Sequence, residues 1–302
     1  MANYHEPVLL EKVIECLDVK PDGFYVDATF GGGGHGLEIL KKLKNGKLIA
    51  FDQDEDAEAN LPDDDRVMFF NHNFRFIKNF LQLNKLVPLD GLFADLGVSS
   101  HQLEIPGRGF STRFSGPLDM RMNQSSELTA ADIVNDFDEQ HLSKIFRHYG
   151  ELKNADKLAK IIIKERGKKR IQNTYDLVGL IENLTTKNRR NKFLAQVFQA
   201  LRIEVNDEIN ALKELLQQSV DILKTGGRLV IISYHSIEDR LVKNFMKAGN
   251  FEGIVHKDFY GNKLTPFEVI HKFVVPGEEE IMNNNRARSA KLRTARKIAT
   301  ND

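Results

Sequence analysis

Apolar positions in the first hundred residues fall into short runs separated by stretches with helical spacing. Between the first two runs, apolar side chains recur at the spacing of one helix face, from Leu37 to Leu43. Strands that alternate with helices form a parallel sheet, whose ligands bind beyond the carboxyl ends of its strands. The pattern therefore predicts an α/β fold with buried strands at 24–30, 47–51, 67–70 and 89–94.

The middle of the chain changes period. From Glu127 to Ile203 the apolar spacing is helical throughout, and a fifth strand is predicted only at Arg228–Ser233. This interval is far longer than a strand crossover needs. We therefore predict that a helical insertion over 108–205 splits a domain made of 1–107 and 206–302. Its entry is rich in Gly and Pro, and a long helix pair over 192–223 leads back.

A loop with five glycines in six positions, Gly31-Gly-Gly-Gly-His-Gly36, follows the first strand. Glycines at a strand-to-helix turn let the backbone approach a ligand closely, and the free N–H groups of the helix start face that ligand. The loop predicts a site for a nucleotide-like cofactor. It also matches G-x-G-x-x-G, so by itself it does not distinguish NAD from S-adenosylmethionine (SAM).

Three further side chains follow predicted strands. Asp52 comes directly after the second strand, Phe74 follows the third, and Asp95 follows the fourth. An acidic residue at the end of the second strand suits hydrogen bonds to ribose hydroxyls. Because the carboxyl ends of parallel strands share one edge of the sheet, these three residues are expected to meet at one rim.

At this point several segments resemble a known family, the bacterial 16S ribosomal RNA cytosine-N4 methyltransferases. The similar segments occur in the family's order from His5 to Arg293. They are Asp27–Gly36, Asp95–Ser100, Arg108–Ser111, Pro117–Met122, Gln199–Asn206, Gly226–Leu229, Ser233–Arg240 and Arg286–Arg293. Tyr234 stands where Phe is expected in the family pattern.

The resemblance implies a class I SAM-dependent methyltransferase fold, Rossmann-like with a mostly parallel sheet, split by the helical insertion. It implies transfer of a methyl group from SAM to the exocyclic N4 of a cytidine in the decoding region of 16S ribosomal RNA. The implied partner is that RNA, in a small-subunit particle. The residues placed around SAM are Gly33, Gly34, His35, Asp52, Phe74, Asp95 and Gln102.

The group that activates the cytosine amine stays open at this level. The candidates are Asp95, the hydroxyl of Ser99, backbone carbonyls of the loop after the fourth strand, and His235. Such a group must accept a hydrogen bond from the amine, whose lone pair is delocalised into the ring.

The chain has one cysteine, Cys16, on a predicted amphipathic helix. Enzymes that methylate carbon 5 of cytosine resemble one another in attacking the ring with a cysteine, and no cysteine is placed near the predicted rim. The count therefore favours methylation of nitrogen. No H-E-x-x-H or Cys-rich pattern is present, and no metal site is predicted.

Charge is balanced overall but not locally. Lys and Arg number 43, as do Asp and Glu, so the chain gives no global signal for nucleic acid. However, residues 286–297 hold six basic side chains and no acid, which predicts RNA contacts by Arg286, Arg288 and Arg293. A structural role for this segment, with Leu292 packed inward, is the alternative. The insertion adds basic residues at 164–170 and 187–192.

No apolar run is long enough for a membrane span, and Met1–His5 lack the features of a leader peptide. These observations favour a cytoplasmic protein and leave the oligomeric state open. Two rival functions stay open: an NAD-dependent oxidoreductase, and a non-catalytic RNA-binding factor that retains a SAM fold.

Overall fold

The computed structural model describes residues 7–299, so expectations that concern Met1–His5 lie outside the described residues. The chain divides into two compact units. The first combines Met1–Gly97 with Asn210–Asp302, and the second is Val98–Ile209. The predicted insertion, 108–205, falls inside the second unit.

The first unit contains a seven-stranded sheet. Its strands are β1 (Phe24–Asp27), β2 (Lys47–Phe51), β3 (Val67–Phe70), β4 (Leu89–Asp95), β5 (Leu223–Ser233), β6 (Phe267–Val274) and β7 (Lys291–Lys297). Its helices are α1 (Leu10–Leu17), α2 (Gly34–Lys42), α3 (Ile77–Leu83), most of α10 (Glu208–Ile222), α11 (Ser236–Ala248) and α12 (Glu278–Asn283). Short 3-10 helices include Phe74–Phe76 and Asn285–Ser289.

The strand order is β3-β2-β1-β4-β5-β7-β6. The first five strands are parallel, whereas β7 is antiparallel to both β5 and β6. Chain direction across the sheet reverses between β1 and β4, which places a crevice beyond the carboxyl ends of these two strands. The first four strands and the parallel α/β class predicted from the sequence are confirmed.

Helices cover both faces of the sheet, so the central strands are apolar on both sides. In β2, Leu48 and Ala50 pack with α1 and α2, while Ile49 and Phe51 pack with α3 and α10. All four side chains are fully buried. This two-sided core fixes the positions of the strand ends, where the polar residues lie.

The second unit is helical, as the period of its sequence predicts. It contains α4 (Ser100–Glu104), α5 (Ala130–Asp136), α6 (Glu139–His148), α7 (Ala155–Arg166), α8 (Thr174–Ile181) and α9 (Arg190–Asn206), with a 3-10 helix at Lys187–Arg189 before α9. Its core is separate and includes Phe146, Leu158, Leu177 and Val197. In the part of the chain that is described, no helix is long and apolar enough to cross a membrane.

The sequence did not predict β6 and β7, and β5 begins at Leu223 instead of Arg228. Most side chains of β6 are exposed because the strand lies at the sheet edge. Strand β7 is buried but rich in Lys and Arg. Neither segment therefore shows the apolar pattern by which the other strands were recognised.

Candidate functional site

The glycine loop needs glycine mainly for backbone reasons. Gly31 and Gly33 have φ of 50° and 78°, a left-handed conformation that other residues adopt only with strain. A Cβ on Gly33 or Gly36 would lie 2.9 Å from the ring of Phe30. Gly33 also precedes α2 without a side-chain cap, so the first N–H groups of that helix lack a capping side chain.

Gly34 and His35 have a different task. A Cβ on Gly34 would lie 2.2 Å from Cγ of Pro7, so the glycine lets the N-terminal segment pack against α2. The His35 Nε2 lies 2.9 Å from the carbonyl oxygen of Val8, and its ring centroid is 4.6 Å from that of Phe93. Burial lowers the pKa of His35 to about 4, so the imidazole is neutral. The imidazole packs in the core, which leaves the main chain of residue 35 for a ligand.

Asp52 joins the end of β2 to the glycine loop. Its Oδ2 accepts a hydrogen bond from the Gly31 N–H at 2.7 Å, and its Oδ1 accepts one from Asp54 N–H at 2.9 Å. Burial raises the pKa of Asp52 to about 6. Two ionised carboxylate oxygens offer about four acceptor positions, so two remain for the hydroxyls of a ligand.

The turn after β3 is tied to the same edge. The side-chain amide of Asn71 donates to the Asp52 carbonyl oxygen at 3.1 Å, and that of Asn73 donates to Gln53 Oε1 at 2.8 Å. Phe74 follows directly and is half-buried against the sheet core. The structure thus brings the β2 and β3 ends together, as predicted for Asp52 and Phe74.

Asp27, the last residue of β1, is a rim acid that the sequence analysis quoted only within a motif. It is 1 % exposed, and its Oδ1 accepts a hydrogen bond from Thr29 N–H at 3.1 Å. The Thr29 hydroxyl in turn accepts a hydrogen bond from Asp95 N–H at 2.7 Å. Burial raises the pKa of Asp27 to about 7, and the carboxylates of Asp95 and Asp52 add to the effect. Its position at the end of β1 was the available signal.

Asp95 is held from β5. The hydroxyl of Tyr234 donates to Asp95 Oδ1 at 2.8 Å, and Tyr234 N–H donates to Glu238 Oε2 at 3.0 Å. Burial raises the pKa of Asp95 to about 7, and burial together with Asp95 raises the pKa of Tyr234 well above its usual value. The tyrosine therefore remains a donor. Its role was also missed, because the sequence registers Tyr234 only as a departure from the family pattern.

His235, a candidate activating group, precedes α11 as its N-cap. Its Nδ1 accepts from Glu238 N–H at 3.4 Å, and its Nε2 lies 3.0 Å from Glu238 Oε1. Both ring nitrogens therefore face Glu238. This geometry matches the local loop role of a capping residue.

Ser99 and Gln102 belong to the second unit. The Ser99 hydroxyl accepts a hydrogen bond from Gln102 N–H at 3.1 Å, and Gln102 Oε1 accepts one from Ser99 N–H at 3.0 Å. The pair forms the capping box of α4, with Gln102 buried.

The basic C-terminal segment is divided. Arg288 is exposed on the 3-10 helix Asn285–Ser289 and Arg286 is half-buried there, but Arg293 lies in β7 and is only 8 % exposed. The Arg293 Nε donates to Asp239 Oδ1 at 2.7 Å, and its guanidinium also bonds the Lys272 carbonyl. Leu292 is fully buried. For Arg293 the geometry favours the structural alternative.

The rim as a whole is an uncompensated acidic cluster. Asp27, Asp52 and Asp95 end three neighbouring strands, and none of them forms an ion pair with any Lys or Arg within residues 7–299. Buried carboxylates without cations fit a ligand that carries positive charge. SAM carries a sulfonium and an ammonium group, whereas the pyrophosphate of NAD would meet repulsion. The residues present therefore fit SAM.

Sheet order, glycine loop and acidic rim together define a class I SAM-dependent methyltransferase. Comparison with known proteins identifies the family: the model of the MraW methylase family matches residues 2–298, and the chain belongs to that family. Its cofactor is SAM.

Curated relatives are similar over nearly their whole length. The "Ribosomal RNA small subunit methyltransferase H" of Flavobacterium johnsoniae is 56% identical over 98% of both chains. That of Amoebophilus asiaticus is 56% identical over 99% of this chain and 97% of its own. Among solved structures, an rRNA methylase from Streptococcus thermophilus is 12% identical, with a TM-score of 0.43 over 96% of this chain and 93% of its own. A likeness of that size adds nothing to the family assignment.

Proposed function

We propose that this enzyme transfers a methyl group from SAM to the exocyclic N4 of a cytidine in the decoding region of small-subunit ribosomal RNA. The observation that carries the proposal is the similarity, over nearly the full length, to relatives whose name states small-subunit ribosomal RNA as the substrate. An acidic rim suited to SAM supports it. We infer that the enzyme acts in the cytoplasm on a small-subunit particle.

Cofactor contacts are proposed for the residues at the strand ends. The Asp52 carboxylate would accept hydrogen bonds from the ribose hydroxyls, Phe74 would border the adenine, and the backbone of Gly33 and Gly34 would approach the ligand closely. Asp27 would add negative charge near the cationic end of SAM. The bound cofactor supplies an electrophilic methyl group on a sulfonium sulfur. Gln102, buried in the α4 cap, is retained as a proposed contact from the second unit.

Asp95 is our proposed acceptor for the cytosine amine. Tyr234 and Thr29 fix its position through side chain and main chain, so the carboxylate is oriented before substrate arrives. A hydrogen bond from the amine to Asp95 would draw the nitrogen lone pair out of conjugation with the ring. His235 faces Glu238, and the Ser99 hydroxyl accepts the α4 capping bond, so both are less suited to this role.

RNA recognition is proposed for the second unit, where three cations cluster at the start of α9. Lys187, Arg189 and Lys192 are exposed, and within the described ranges none of them forms an ion pair. No acidic residue lies in the first turn of α9, although a helix start favours negative charge. This arrangement is unfavourable in the isolated protein and favourable beside phosphates.

The product of the reaction tests the proposal. Cys16 is 8 % exposed, and burial raises the pKa of its thiol, so it is unsuited to attack a cytosine ring. Cys16→Ala should therefore keep most of the methyl-transfer activity. Small-subunit RNA methylated by either protein would be digested and its nucleosides compared with N4-methylcytidine and 5-methylcytidine standards. A 5-methylcytidine product would overturn the proposal.

The NAD and non-catalytic alternatives have their own tests. Titration of the protein with SAM and with NAD separates an oxidoreductase from a methyltransferase. Small-subunit RNA from a strain that lacks this gene should lack one methyl group on a cytidine, and a catalytically silent factor would leave that methyl group in place.

A further inference from the structure

The segment between α11 and β6 presents the most exposed aromatic side chains of the described chain. Phe259 is 97% exposed and Tyr260 is 86% exposed. They occupy the tip of a short hairpin formed by residues 256–264, which we call the aromatic hairpin. Its two arms are joined by a bridge between Lys257 and Lys263 and by a hydrogen bond from Leu264 N–H to the His256 carbonyl at 2.9 Å.

The tip of the aromatic hairpin is an ordered turn. Asp258 Oδ1 accepts hydrogen bonds from Tyr260 N–H at 2.9 Å and from Asn262 N–H at 2.8 Å, and its Oδ2 accepts one from the Asn262 side chain at 2.9 Å. Gly261 closes the turn with φ of 87°. The ring centroids of Phe259 and Tyr260 are 5.7 Å apart, with their planes at 88°. The backbone thus holds two apolar rings in water.

The arms add a second unfavourable feature. Lys257 and Lys263 face each other directly in the antiparallel bridge, and both are exposed. Like charges directly opposite each other destabilise such a pair. Neither lysine forms an ion pair with another residue of 7–299, and the nearby Asp258 carboxylate is occupied by the turn. The bridge therefore lacks the anion that would relieve its repulsion.

Both features become favourable beside one kind of ligand. A single-stranded nucleic acid offers unstacked base faces to aromatic rings and phosphates to lysines. We propose that the aromatic hairpin is a docking site for a single-stranded segment of the RNA substrate. Phe259 and Tyr260 stack on unpaired bases, and Lys257 and Lys263 contact the flanking phosphates. The inference rests on the proposed function, because the RNA is the substrate named there.

The strand register places this contact away from the methylated base. Strand β6 begins at Phe267, which pairs with Lys297, while Arg228 near the start of the parallel part of β5 pairs with Arg296. The aromatic hairpin therefore enters the sheet at the amino end of the parallel strands. The acidic rim lies at their carboxyl end, roughly 17 Å away along β5. The hairpin should affect RNA binding and leave the chemical step unchanged.

The test compares exchange of the rings with exchange of the charges in the full-length protein. Phe259→Ala combined with Tyr260→Ala should raise the KM for deproteinised small-subunit RNA about tenfold or more, because each stacked base contributes that order of affinity. The kcat and the Kd for SAM should stay at their wild-type values. Tyr260→Phe keeps the ring and should keep the KM.

Exchange of both lysines should act through salt. Lys257→Ala combined with Lys263→Ala should flatten the dependence of log affinity on log salt by about 1.4–1.8, or 0.7–0.9 for each lost phosphate contact. Leu83→Ala, an 80%-exposed apolar residue elsewhere, is the control for the rings. Lys42→Ala with Lys44→Ala, exposed lysines near the end of α2, is the control for net charge.

Three outcomes contradict the proposal. An unchanged KM with the ring variant and an unchanged salt slope with the lysine variant would remove the RNA contact. A loss of binding to assembled particles but not to deproteinised RNA would assign the hairpin to a protein partner. Binding to deproteinised RNA is measured without SAM as well, so a failure to methylate any RNA would count against the proposed function and leave the hairpin result readable.

Discussion

The acidic rim of the first unit and the basic surface of the second differ in how their charges are compensated. Asp27, Asp52 and Asp95 have no cationic partner within residues 7–299. In the second unit, by contrast, several cations pair with acids: Lys168 with Glu165, Lys169 with Asp176, Arg170 with Asp136 and Arg190 with Glu182. The guanidinium of Arg166 donates to the carbonyls of Val134 and Phe137. A run of charge in the sequence therefore says less than the charges that remain unmatched in the fold.

The same distinction separates two arginines of the C-terminal segment. Arg293 is buried with Asp239, so removing it would leave a carboxylate without one of its partners and destabilise the sheet edge. Arg288 is exposed and remains suited to contact phosphate. A variant that combines both substitutions would mix a folding effect with a binding effect.

The largest effect is expected from Asp52. Asp52→Ala removes charge-assisted hydrogen bonds of about 1.5–3 kcal/mol, so the affinity for SAM should fall roughly tenfold to a hundredfold. Isothermal titration calorimetry measures this directly. Glu58→Ala, an exposed acid close to Asp52 in sequence, is the matched control and should bind SAM normally. Normal SAM affinity in a folded Asp52→Ala protein would refute the assignment.

The second prediction concerns pH. The pKa values of Asp27 and Asp95 are raised to about 7 and that of Asp52 to about 6, so between pH 4 and 7 the folded protein keeps protons that the unfolded chain loses. These groups therefore lower the stability of the ligand-free protein as pH rises through that window. A bound cation favours their ionised forms. The affinity for SAM should then be about tenfold weaker at pH 6 than at pH 8, with proton uptake by the buffer on binding.

Tyr234→Phe sharpens this prediction. The hydroxyl favours ionised Asp95, so its removal should move the midpoint of the pH dependence upward while the fold and the ring packing persist. Calorimetry in buffers of different ionisation enthalpy counts the released protons. A SAM affinity that is constant from pH 6 to 8 would show that the rim acids do not carry the interaction.

The parts of the fold that the sequence predicted are those where local pattern and burial agree. Strands β1 to β4 are apolar and the glycine loop follows a strand end, so both were found. The sequence could not reveal why Gly34 is glycine, because the reason is the close approach of Pro7. Nor could it pair Tyr234 with Asp95, residues that meet only when β5 aligns beside β4. Strand β7 was hidden because its buried positions include Arg293 and Lys297, which read as a basic surface.

The smallest effect is expected at the start of α9, where the comparison of paired and unpaired charges can be tested within one unit. Lys187→Ala, Arg189→Ala and Lys192→Ala together should flatten the dependence of log affinity for RNA on log salt by about 2.1–2.7, since three phosphate contacts are lost. Removing these cations also relieves the unfavourable charge at a helix start, so the melting temperature should stay the same or rise. The matched control removes three cations that already have partners: Lys168→Ala, Lys169→Ala and Arg170→Ala. Those partners leave less charge for phosphate, so the control should change the slope much less. Equal slopes for the two triple variants would show that the second unit responds to total charge, and that unmatched charge does not mark its RNA surface.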